Sequence, residues 1–170
     1  MKLLLEQIEA KLRGAPGDDE FAMWRAVLAM VHVDDDIAAL EDYLVGSVTQ
    51  IFQFSDEQKG RLAKDMEERP SPKDLFGAIE SEACRAQFFR LARVIAWCDG
   101  VLHEDELNVV EEIKDALGDE VQAYESDLRW MHRKPDLPMG TSAGSSEEEM
   151  MMHIMFQMMA FYEQRERDVL

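Results

Sequence analysis

Cys84 and Cys98 are the only cysteines in the sequence. They stand fourteen apart, with no C-x-x-C spacing and no histidines at zinc-finger distances, so a disulfide framework and a structural zinc site are both excluded. They read as buried thiols of a reducing compartment. Long hydrophobic runs are missing as well. No stretch approaches the ~20 apolar residues of a membrane span, and MKLLLEQIEAKLR has too short an apolar run for a secretory signal, with Glu6 and Glu9 directly after it. The expected address is the cytoplasm. Basic residues are scarce: 18 Lys and Arg face 36 Asp and Glu, a formal charge of −18. Such a surface repels phosphate backbones and anionic headgroups, which argues against nucleic acid and direct membrane insertion and favours cations or basic protein partners. Catalytic signatures are absent too. His32, His103, His132 and His153 never form H-E-x-x-H, and there is neither a nucleophile elbow nor a glycine-rich phosphate loop. The chain is read as non-enzymatic.

What is present is helical periodicity. Apolar residues make up 46% of the 170 positions, enough for one folded core. Leu3, Leu4, Ile8 and Leu12 predict a helix over 2–13 that ends at Gly14-Ala15-Pro16-Gly17. A second helix, capped by Asp18 or Asp19, carries Phe21, Trp24, Val27, Leu28 and Val31 and stops near Val33. Leu40 to Phe52 mark a third. Ser55 and Gln58 form a capping box for a fourth, and Ser71-Pro72 starts a fifth, with a break or bend near Gly77. Two further helices follow: one from Leu107 to Gly118, one through Val121, Tyr124, Leu128 and Met131. Ser146 then caps a last helix to about Arg167. No segment alternates long enough for a strand. The expected organisation is an N-terminal arm (1–17), a helical domain (18–133), a linker (134–145) and a C-terminal Met-rich helix (146–170) docked on the domain.

Sliding the sequence by 65 positions puts Asp34 on Asp99, Ile37 on Leu102, Glu41 on Glu106, Leu44 on Val109 and Val48 on Ile113. Matches in the turn and in both flanking stripes predict two related helical hairpins packed about a pseudo-two-fold axis. Two readings of the turns stay open. In the first, they are mechanical. Gly100 supplies a left-handed residue, Leu102 staples against Leu107, and Glu106 at the third helical position caps backwards; Glu41 does the same in the first copy. In the second, Asp34, Asp36, Glu41, Asp99 and Glu106 together hold a hard divalent cation, with oxygen ligands suited to calcium, magnesium or manganese. The spacing is not that of an EF-hand.

Cys98-Asp99-Gly100-Val101-Leu102 through Glu106, and more loosely Val33-Asp34-Asp35-Asp36-Ile37 through Glu41, resemble the signature of the tellurite-resistance TerB-like family. The resemblance covers about residues 18–132. It implies an all-α bundle of two pseudo-symmetric helical hairpins plus terminal helices, a metal-ion role for Asp34, Asp36, Glu41, Asp99 and Glu106, and a part in stress responses, at times at the membrane through partner proteins. Asp35 stands where the family has glycine, and Val101 where it has a second acid.

The last helix carries Met150, Met151, Met152, Met155, Met158 and Met159. A helix apolar around most of its circumference is ordinarily core. Thioethers can also bind Cu(I) or form an adaptable protein-binding face, which makes Met151, Met155, Met158 and Met159 the candidate partner-binding residues. Behind a linker, the same helix is a candidate route to a homodimer by exchange between protomers. Two functions follow as expectations: a cation-binding TerB-like module, and a protein-interaction scaffold whose acids are caps.

Overall fold

The computed structural model describes residues 1–33, 38–137 and 146–169, and all of its regular structure is helical, with no strand among the described residues. In chain order the helices are α1 (Lys2–Lys11), α2 (Asp18–Ala29), α3 (Ala38–Ile51), α4 (Asp56–Glu68), α5 (Pro72–Phe76), α6 (Glu82–Ala96), α7 (Glu104–Leu117), α8 (Glu125–Leu128) and α9 (Ser146–Val169). Short 3-10 turns extend α2 over Met30–His32 and join α7 to α8 over Gly118–Tyr124. No described helix is long and apolar enough to cross a membrane.

The terminators act where their chemistry puts them. Ser55 and Gln58 bond reciprocally at the start of α4, Pro72 occupies the first turn of α5, and Gly118 closes α7 at φ +54°. Near Gly77 the chain breaks into two helices rather than bending one, because Ser81 accepts from the Cys84 N–H and starts α6 afresh. Asp19 differs from expectation. Gly17 is the N-cap of α2, and the Asp19 carboxylate instead accepts from the N–H groups of Glu80 and Ser81, just ahead of α6. A cap predicted for its own helix thus serves one sixty residues away. The helix expected through Val121 to Met131 is also more broken than its apolar spacing suggests, with only Tyr124 and Met131 buried.

The core centres on α2 and α6. Met23, Trp24 and Val27 of α2 and Phe88, Phe89 and Leu91 of α6 are fully buried, and Trp24 packs on Phe52 with ring centroids 4.8 Å apart. Around this pair α5 covers α2, and α9 lies against α1, α3 and α6. Leu4 and Ile8 of the N-terminal arm join the same continuous core. Cys84 is buried, which pushes its thiol up to about 12, an unreactive group; Cys98 is half-buried.

Three acids among the described residues are buried, Glu20, Asp65 and Glu106, and the first two tie helices together. Asp65 accepts both Nε (2.6 Å) and Nη2 (2.8 Å) of Arg25, a fork that ties α4 to α2. Glu20 accepts from Tyr162 Oη at 2.7 Å and from Arg165 at 3.2 Å, tying α2 to α9. Burial pushes the Glu20 carboxyl above its ordinary value, against the Tyr162 hydrogen bond and the Arg165 charge. A carboxyl whose folded pKa is raised contributes stability below the unfolded value, lost as pH rises through the folded one. Glu20→Gln cannot ionise. Its melting temperature relative to the wild type should therefore climb between pH 4 and pH 7 in paired thermal melts. A difference that stays flat across that range would show that charge burial at Glu20 has no weight.

Candidate functional site

The second acidic turn begins where α6 runs out. Trp97 leaves the helix with its indole N–H donated to the carbonyl of Met131 at 2.9 Å. Gly100 then turns the chain at φ +86°, with its N–H bonded to the Trp97 carbonyl. A Cβ at Gly100 would meet nothing within 4 Å, so glycine is required there by the backbone angle and not by crowding.

Asp99 and Glu106 meet at His103. Asp99 Oδ1 accepts from the Val101 N–H at 2.8 Å, closing a local turn, and its Oδ2 lies 2.9 Å from His103 Nε2. Glu106, 4% exposed, accepts the His103 backbone N–H through Oε2 at 3.0 Å, as the backward cap of α7. One carboxylate thus faces inward along the helix start, and the other sits exposed on the turn. Burial raises the Asp99 carboxyl, but the hydrogen bonds from His103 and the Val101 N–H outweigh it and hold the group below its usual range. The partners expected from the first turn cannot be set beside them, since Asp34 and Asp36 lie outside the described residues. Glu41 belongs to α3, and its side chain is likewise outside them.

Sequence reasoning missed the other wall. A cavity of about 80 Å³ lies between the turn and the start of α9, bordered by Asp99, Gly100, Lys134, Glu149 and His153. His153 is only 6% exposed, its Nε2 has no hydrogen-bond partner among the described residues, and it stands 3.9 Å from Glu149 Oε1. Burial pushes the imidazole below its ordinary value, against the pull of Glu149 and with the help of Arg93 and Lys134. The Nε2 atom can accept or donate according to the tautomer of the ring. Glu149 and His153 share a helix face by their i, i+4 spacing, which was legible; that this face meets Asp99 was not. No three His, Cys, Asp or Glu side chains among the described residues come close enough to hold a metal ion directly.

The methionines have a different place. Met151, Met155 and Met158 are buried in the protein's own core and Met159 is half-buried, with Met158 Sδ accepting from the buried Gln87 amide at 3.6 Å. As packed here, a partner or a copper ion reaches Met151, Met155 or Met158 only if α9 leaves the bundle.

No protein-family model, curated protein or solved structure matches the chain.

Proposed function

We propose that the protein is a non-catalytic, TerB-like helical module that binds a divalent cation at its acidic turns and passes the bound state to a protein partner in a stress or regulatory pathway. The observation that carries this reading is the polar cavity beside the second turn, which is bordered by the carboxylates of Asp99 and Glu149 and by the buried His153, whose Nε2 has no hydrogen-bond partner among the described residues. The carboxylates suit magnesium or manganese, and the His153 nitrogen can hydrogen-bond a water of such an ion. Magnesium keeps several of its waters when bound, so full convergence of side chains is not required. In this proposal Asp34, Asp36 and Glu41 of the first turn supply further oxygens, while Glu106 remains the cap of α7. The helix bounds lend support to the repeat: α2 and α3 moved by 65 positions fall on 83–94 and 103–116, against 82–96 for α6 and 104–117 for α7.

Because an ion that binds only the folded state stabilises it by mass action, about 2.7 kcal/mol at a hundred times Kd, magnesium or manganese added to chelator-treated protein should raise Tm by roughly 5–10 °C. Asp99→Asn and Asp34→Asn should each remove most of that shift. An unchanged shift in both variants places the ion elsewhere, and no shift with calcium, magnesium or manganese ends the reading.

A further inference from the structure

A cavity of about 630 Å³ opens at the far end of α9, where its last turns meet the end of α1, the loop from Gly14 to Gly17 and the first turn of α2. Its volume lies within the range of small-molecule sites, about 300–1,000 Å³. The loop that forms one wall is pinned from outside, since the Gln58 amide that caps α4 also donates to the Pro16 carbonyl at 2.6 Å. Leu12, Pro16 and the Tyr162 ring make the apolar part of the lining.

The charge is the unexpected feature. In a chain of net charge −18, this cleft gathers three cations, Lys11, Arg13 and Arg165, against two carboxylates, Glu20 and Glu166, so it carries one positive charge in excess. The two acids differ in kind. Glu20 is fixed in the wall by Tyr162 and Arg165 and cannot turn away. Glu166 is exposed on the last turns of α9, with Lys11 Nζ at 2.6 Å and Arg13 Nη2 at 3.9 Å. Its carboxylate marks where an anion sits between these two cations, and its own side chain is free to swing into solvent.

The geometry points to a binding site for a small organic monoanion, with its carboxylate held between Lys11 and Arg13 in place of Glu166 and its apolar body against Leu12, Pro16 and the Tyr162 ring. Charge complementarity sets the class: a single carboxylate takes over the two ion pairs that Glu166 gives up, and a neutral molecule leaves Lys11 and Arg13 unanswered. Arg165, half-exposed and already bonded to Glu20, closes the site from the α9 side.

Titration of the full-length protein with dansylglycine, an aromatic carboxylate, tests this by fluorescence, with uncharged dansylglycinamide as the control. Saturable 1:1 binding of the acid and at least about tenfold weaker binding of the amide are expected, one lost charged contact being worth about that factor. Two exposed substitutions should act in opposite directions. Arg13→Glu should weaken binding about five- to tenfold, and Glu166→Gln, which removes the internal competitor, should strengthen it several-fold, with Tm unchanged in each. Binding that does not saturate, equal binding of acid and amide, or indifference to both substitutions overturns the assignment. None of these outcomes depends on the acidic turns, so the two proposals stand or fall separately.

Discussion

Ending the chain at Leu137, which removes α9, is expected to abolish cooperative folding rather than release a stable remainder. Met150, Met151, Met152, Ile154, Met155, Met158 and Phe161 are all buried, and they interlock with α1, α3 and α6. At ~1.5–3 kcal/mol for each fully buried side chain, these seven represent about 10–20 kcal/mol of burial. That is an upper estimate, because unfolded chains already hide some apolar surface. It still equals or exceeds the ~5–15 kcal/mol that separates a native domain from its unfolded state. The truncation also strands Glu20, whose tyrosine and arginine partners both lie on α9. Far-UV circular dichroism should show a broad or absent melt, and size-exclusion chromatography should show aggregates. A monomer melting sharply near the wild-type temperature would mean that α9 is an accessory, and would return the Met face to the role of a partner-binding surface.

That experiment bears on a distinction the sequence could not make. A helix of methionines fits a closed core and a groove for a partner equally well, because both demand the same apolar circumference; only the position of α1, α3 and α6 around it separates them. Local signals fared better. The serine cap at Ser55, the Ser71-Pro72 start and the stop at Gly118 depend on neighbours within four residues, and the fold follows them. Long-range polar pairings were invisible for the opposite reason. Asp19 reaches Glu80 and Ser81, Glu20 reaches Tyr162, and His153 approaches Asp99 only once the helices have packed, and no spacing in the chain encodes those meetings. At the candidate site the cap role of Glu106 was legible from its third position in α7, whereas Asp99 was half legible: its acid was noted, its bond to His103 was not.

The fork between Arg25 and Asp65 predicts the largest loss from a single polar substitution. Asp65 is 7% exposed, and the Arg25 side chain keeps only 18% of its surface, so Asp65→Ala leaves a guanidinium largely cut off from water with no acceptor. Arg61, at 3.3 Å from Asp65 Oδ1, also loses its carboxylate, though it is 41% exposed and can turn outward. Breaking a buried pair from one side costs about 3–5 kcal/mol. Since Arg25 retains some solvent, the low end applies, a fall in Tm of roughly 6–12 °C for a chain of this size. Replacing both partners should behave differently. Arg25→Met with Asp65→Leu fills much of the same volume and leaves no charge to desolvate, a change that is often neutral where paired ions are exchanged for apolar groups. The double variant should therefore melt above the Asp65→Ala single variant, and the two substitutions should be strongly non-additive in a double-mutant cycle built with Arg25→Met and Asp65→Leu. Additive losses would mean that the fork contributes packing alone, and that α2 and α4 are held together by their apolar faces without help from the charge pair.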